Sequence, residues 1–195
     1  QDFSPAPENP VIVIGGAGID LVGRLEGELI PGKKNPANIR TSYGGVARNV
    51  AENLSRLGQR TILLTAVGDD QAGKQLLAQA VQAGVDVSKV LTTQEHPTGT
   101  YLGVLGVKGA LQFALDDINA TQSLTPDYIE SHADLFKSAS LVFIDANLPK
   151  ATLRKIFSKA RIAKIPVCAD PTSTGLANGI LRLLEEPGAA EGLGT

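Results

Sequence analysis

Four β-branched residues in succession, Val11-Ile12-Val13-Ile14, run into Gly15-Gly16. A strand that is apolar on both faces must be covered on both faces, as in a parallel sheet flanked by helices. The rest of the chain repeats this theme. Residues 47–57 set Val50, Leu54 and Leu57 at helical spacing and meet Gly58, suited to a left-handed helix stop. Residues 61–67 read as a second apolar strand closed by Gly68-Asp69-Asp70, and 73–83 as a second amphipathic helix ended by Gly84. Thr125-Pro126 provides a cap and a first-turn proline for a helix over about 127–136. A strand at 141–144, a helix at 150–163 and a strand at 167–169 follow. Strands alternating with helices predict right-handed crossovers and an α/β fold with a mostly parallel sheet.

Two segments break the rhythm. Residues 21–43 alternate short apolar pieces with Gly23, Gly27, Pro31, Gly32 and Pro36, and 98–118 hold two strand-like pieces around Lys108-Gly109. Both are read as hairpin-like insertions into one domain spanning 11–185, with 1–10 an extension and 186–195 a tail without assignment. A length of 195 residues fits one domain.

Eighteen basic against 20 acidic residues leave a net charge of −2, without the basic excess that binding a nucleic acid polymer uses. No apolar run approaches the roughly 18 residues of a membrane span. One cysteine, Cys168, excludes an internal disulfide framework and fits a reducing, cytoplasmic setting; inside an apolar strand it reads as a small core residue. The sequence contains no methionine, so Gln1 is not expected to be a translation start.

Ligands of open α/β sheets bind beyond the carboxyl ends of the strands. Asp20, Asp69, Asp145, Asn147 and Asp170 follow apolar runs in this way. A carboxylate there accepts two hydroxyls of a vicinal diol; the competing reading is an Asp that caps the next helix. Gly44-Gly45-Val46-Ala47-Arg48-Asn49 is the sharpest local feature. Its glycines allow close backbone approach to a ligand, and the first-turn N–H groups of the helix offer donors to oxygen-rich groups. Arg48 and Asn49 there exceed what packing needs, unless they are a solvated Arg and a helix-start Asn. The Gly-Lys-Ser/Thr of a phosphate-binding loop is absent. His96 and His132 have no metal or catalytic spacing and are assigned to structure or surface. Asp116-Asp117 reads as a solvated turn, with a metal site as the alternative.

Over about residues 11–175 the sequence resembles the amino-terminal portion of the PfkB (ribokinase-like) carbohydrate kinases. The markers are 11–15 leading to Asp20, the segment 44–58, and Ala66-Val67-Gly68-Asp69-Asp70 before Gly73. The Gly-Gly-Val-x-Arg-Asn form, with 114–119 and Asp145-Ala146-Asn147, is most similar to the members that phosphorylate pseudouridine. The resemblance implies a three-layer sandwich with a small β-lid made of the two insertions. It also implies ATP-dependent phosphorylation, with Mg2+ in the complete enzyme, of the 5′-hydroxyl of a nucleoside or sugar. By position Asp20 holds the ribose diol, Gly44, Gly45 and Asn49 meet sugar hydroxyls, and Arg48 lines the site. Thr98, Tyr101 and Asp117 face substrate from the lid and Asn147 lies on the substrate side, while Asp170 and Glu191 lie on the nucleotide and phosphate side. No metal ligand is assigned. The partner is a small-molecule nucleoside or sugar, with a homodimer formed through the lid. The family's Gly-Ala-Gly-Asp loop does not occur, and Pro187-Gly188-Ala189-Ala190-Glu191 offers only a degraded Asn-x-x-Glu. The chain alone is therefore expected to lack turnover, with a sugar kinase of ribokinase or fructokinase type, or a non-catalytic binding partner, as the alternatives.

Overall fold

The computed structural model describes residues 9–172 and 174–185. In chain order its elements begin with β1 (Val11–Ile14), β2 (Gly18–Leu25), β3 (Ala37–Gly44), α1 (Val46–Arg56), β4 (Thr61–Leu64), β5 (Ala66–Gly68) and α2 (Gln71–Gln82). They continue with β6 (Leu91–Thr93), β7 (Gly99–Leu105), β8 (Leu111–Asp117), a 3₁₀ turn (Asn119–Ser123), α3 (Pro126–Ser131), α4 (Ala133–Ser138), β9 (Leu141–Asp145), α5 (Lys150–Ala163), β10 (Val167–Asp170) and α6 (Thr174–Glu185).

The central sheet has the order β10-β9-β1-β4 and is parallel throughout. The β-branched run at 11–14 lies between two partners, and its alternation divides the core. Ile12 and Ile14 pack with Val142, Ile144, Ile129, Phe136 and Ile156 on one side, while Val11 and Val13 meet Leu63, Ala47, Ala51 and Ala80 on the other. Alanines at 47 and 51 have no side chain beyond Cβ, which lets α1 lie close to the sheet.

The two insertions associate with each other. Strands β3-β2-β7-β8 form a second sheet whose central pair, β2 and β7, is parallel and whose outer pairs are antiparallel hairpins.

Three expectations need correction. The strand read over 61–67 divides at Thr65: β4 stays in the central sheet, whereas β5 leaves it to pair with β6, a strand that periodicity did not reveal. The helix read over 127–136 breaks at His132, whose Nδ1 and the Ser131 hydroxyl both engage the Tyr128 carbonyl and compete with helical pairing there. Cys168 is exposed: β10 is an edge strand of the sheet among the described residues, and Cys168 lies on the face opposite Val167 and Ala169, which pack against the core.

Candidate functional site

An open cleft of about 530 Å³ lies between the carboxyl end of the central sheet and the second sheet. Asp20, Gly45, Asn49, Tyr101 and Asn147, all expected at the site, line it together with Asp116, Ile118 and Thr121. Register explains part of this grouping. Asp20 of β2 sits opposite Tyr101 of β7, which sits opposite Asp116 of β8, and directly paired residues project to the same side of a sheet. Three polar side chains from distant parts of the sequence thus form one row. Burial raises the Asp20 carboxyl above the ordinary range, and the charge of Arg48 partly offsets that.

The twin glycines have different tasks. Gly44 pairs with Gly18, and a Cβ on it would overlap the Asp20 carboxylate; the absent side chain is the space in which Asp20 sits. Gly45 has φ +91°, and a Cβ there would lie 2.5 Å from the Gly16 carbonyl oxygen and from Ala17 Cα. The strand-to-helix corner therefore packs directly on the loop after β1, in a conformation that favours glycine.

Helix α1 has no capping side chain of its own. The first-turn N–H groups expected to serve a ligand are partly spent within the protein: Ala47 N donates to Asp145 Oδ2 at 3.3 Å, and Arg48 N to the Gly16 carbonyl at 3.3 Å. Asp145 is fully buried and also accepts from Gly16 N at 2.6 Å and, through Oδ1, from Asn147 N at 3.0 Å. Burial pushes its carboxyl up; the three backbone donors oppose the rise, and Asp170 adds to it. Asp145 stood among the strand-end acids, but its spacing carried no sign that it would cap a helix 98 residues earlier.

Other expected residues stand elsewhere. Arg48 is buried, with 6% exposure, and does not line the cleft. Its guanidinium is paired with Glu52, Gln79 Oε1, the Tyr43 carbonyl and Asn49 Oδ1, so packing does use it. Thr98 is also buried: its hydroxyl donates to Asp70 Oδ1 at 2.6 Å and accepts from Gly68 N, and its own N–H donates to Asp70 Oδ2. It anchors the start of β7 to the cap of α2. Asp117 projects to the opposite side from its neighbour Asp116 and accepts from the Asn119 backbone and side-chain amides. The solvated-turn reading thus fits Asp117, while Asp116 turns to the cleft; only strand register distinguishes the two. Asp170 accepts from Thr172 N at 2.7 Å and is not among the cleft-lining residues. Glu191 lies outside the described residues. Those residues contain no group of three His, Cys, Asp or Glu positioned to hold a metal ion, and no helix long and apolar enough to cross a membrane.

Comparison with known proteins matches residues 9–190 to the model of the pfkB family of carbohydrate kinases. Pseudouridine kinase of Escherichia coli is 37% identical over 163 residues, covering 84% of this chain and 51% of that protein. A carbohydrate kinase from Agrobacterium tumefaciens superposes with a TM-score of 0.75 at 32% identity, over 84% of this chain and 55% of that one. Arabidopsis thaliana ribokinase, solved with ribose and ATP, shares the fold with a TM-score of 0.75 at 23% identity, over 83% of this chain and 53% of that one. The chain spans about half the length of the relatives it matches.

Proposed function

The chain belongs to the pfkB family of carbohydrate kinases, and from that premise we propose that it is the substrate-binding part of an ATP-dependent kinase that phosphorylates the 5′-hydroxyl of a nucleoside, pseudouridine first. The observation that carries the proposal is the meeting of Asp20, Asn49, Gly45 and Asn147 in one cleft with Tyr101 and Ile118. An ionised carboxylate accepts from both hydroxyls of a vicinal diol. Gly44 leaves the space in which the Asp20 carboxylate sits, and Tyr101 and Ile118 supply aromatic and apolar surface for a flat base. The 37% identity to a pseudouridine kinase favours that nucleoside over a free sugar.

Phosphoryl transfer depends on positioning and on stabilising charge around the transferred group. We assign the positioning of the acceptor to Asp20, Asn49 and their neighbours in the cleft. ATP supplies the phosphoryl group when bound, and Asp170 beside Asp145 marks the end of the sheet where we place the nucleotide side. The described residues contain no group of three His, Cys, Asp or Glu side chains positioned to hold Mg2+. Because no Gly-Ala-Gly-Asp loop occurs in these 195 residues, the chain alone is proposed to bind without turning over. We place the kinase in the cytoplasm, where ATP is available, as a homodimer formed through the apolar outer face of the second sheet, which acts as a lid.

The test is ADP release by the protein at its full natural length with pseudouridine, uridine, ribose and fructose. Pseudouridine is expected to give the highest kcat/KM. Preference for ribose or fructose moves the assignment to a sugar kinase, and silence with all four ends it.

A further inference from the structure

Arg48 is a buried cation directly behind the cleft, and the substrate role expected of it from its position is not the one its surroundings support. A guanidinium has only donors, so every polar atom it meets must be an acceptor. That fixes Asn49: the amide atom 2.9 Å from Arg48 Nη1 is the oxygen. Asn49 Nδ2 makes no hydrogen bond to the described residues, and Asn49 lines the cleft. The cation itself is held from several sides. Glu52 pairs with it and with Arg56 at 2.5 Å, Gln79 Nε2 donates to Glu52 Oε1 at 3.2 Å, and the Tyr43 carbonyl takes a second bond from Nη1 at 3.3 Å. Gln79 is fixed in the same manner, with its oxygen toward Arg48 and its nitrogen toward the carboxylate, so the pattern of donors and acceptors is consistent across α1 and α2.

We propose that Arg48 is a positioning residue that never touches substrate but fixes the Asn49 amide so that it presents a donor, and no acceptor, to the cleft. Two of the polar groups on the cleft then have opposite polarity: Asp20 accepts and Asn49 donates. A hydroxyl satisfies either group, giving its proton to Asp20 or receiving one from Asn49 at its lone pair. A group with donors only, such as the ammonium of an amino sugar, satisfies Asp20 and leaves Asn49 facing another donor. The selectivity for hydroxyl over ammonium is thus written by a residue outside the cleft. This inference rests on the proposed reading of the cleft as a nucleoside site.

A double-mutant cycle tests it, with pseudouridine affinity measured by calorimetry on the full-length protein. Arg48→Lys keeps a charge for Glu52 but lacks the fork that reaches Asn49 as well, and it should weaken binding about fivefold in the native background. In an Asn49→Ala background the same substitution should have no further effect. Equal weakening in both backgrounds, or none in the first, overturns the proposal, because a merely structural Arg48 would act without reference to Asn49. A third variant needs no ligand for part of its readout. Asn49→Asp keeps an oxygen toward Arg48 and adds charge, so it should melt at or above the native temperature while binding about tenfold or more weakly. A melting temperature lowered by several degrees means that Arg48 does not face the amide oxygen and also overturns the proposal. Native protein that binds no nucleoside or sugar defeats the functional reading instead, and the melting comparison still reports on the amide.

Discussion

Asp145 Oδ2 accepts from Gly16 N at 2.6 Å and from Ala47 N at 3.3 Å, so one buried carboxylate at the end of β9 joins the loop after β1 to the first turn of α1. The cleft stands on this joint. Gly15 has φ +151°, and a Cβ there would overlap the same carboxylate, so the loop follows Asp145 closely. Gly45 rests in turn on Gly16 and Ala17, and the position of the twin-glycine corner is set through Asp145.

Replacing Asp145 with Ala leaves three backbone N–H groups without their acceptor, and that of Ala47 is fully buried. Loss of a charged acceptor and of the α1 cap together should cost about 2–4 kcal/mol in denaturant unfolding. An effect below about 0.5 kcal/mol, the range of a neutral surface change, would show that the joint is not structural.

The glycines should separate by phenotype. Gly45→Ala forces φ +91° on a residue with Cβ and drives that atom into Gly16 and Ala17, so it should destabilise the fold by at least about 1–3 kcal/mol. Gly44→Ala instead collides with the movable Asp20 carboxylate. Its expected outcome is a loss of ligand affinity greater than its loss of stability, read by calorimetry beside thermal melting. Equal stability losses with unchanged affinity would contradict the assignment of Asp20.

Asp20 should impose a pH dependence on binding. Its ionised form is the proposed diol acceptor, and burial raises its carboxyl above the ordinary range despite Arg48. Affinity should therefore be full at neutral pH and decline, as pH falls, earlier than an ordinary aspartate would allow. The sign for stability is opposite: a folded-state pKa above the unfolded one contributes stability below the unfolded value and loses it as pH rises through the folded value. Asp20→Asn is thus expected to melt no lower than the native protein at pH 7 while losing the ligand. Retained affinity in Asp20→Asn sinks the diol assignment.

The central sheet was legible because burial on both faces leaves a mark in composition: Val11–Ile14 can hardly be anything but an inner strand. The cleft was legible only in its local parts. Asp20, Gly45 and Asn49 stand beside chain landmarks that sequence displays, whereas Thr98 and Asp117, carried over by position from the resemblance, and Arg48 do not line the cleft. Arg48 is one position from Asn49 on a helix, about 100° round the axis, and faces Glu52 instead. Asp117 is one position from Asp116 on a strand and faces the other way. The pairing of 18–24 with 99–105 is a contact between distant segments that no periodicity encodes.

Thr98 should behave as a clamp and not as a ligand contact. Burial works to raise the Asp70 carboxyl, but hydrogen bonds from the Thr98 side chain and backbone and from Gly73 and Ala72 outweigh it, and the group lies below the ordinary range. A depressed folded pKa contributes stability above the unfolded value that is lost as pH falls through the folded one. Thr98→Val removes the hydroxyl shared by Asp70 and Gly68. It should cost about 1–2 kcal/mol at pH 7, with a smaller difference in acid, while the choice between pseudouridine and ribose stays unchanged. A specificity change without a stability change would return Thr98 to the site.

The outer face of the second sheet is where the proposed dimer should be tested. Ile39, Leu102, Val104, Phe113 and Leu115 share one side by register, opposite the row of Asp20, Tyr101 and Asp116. Ile39 is 71% exposed and Leu115 63%, and the face holds a shallow apolar depression of about 270 Å³. An apolar sheet face next to two edge strands favours association, since covering it removes hydrocarbon from water. Paired Phe113→Ser and Leu115→Ser substitutions remove that gain without touching the central core. Sedimentation should then report a monomer where the native protein is a dimer, with unchanged far-ultraviolet dichroism. If the native protein sediments as a monomer at micromolar concentration, or the serine variant remains a dimer, the lid does not pair through this face.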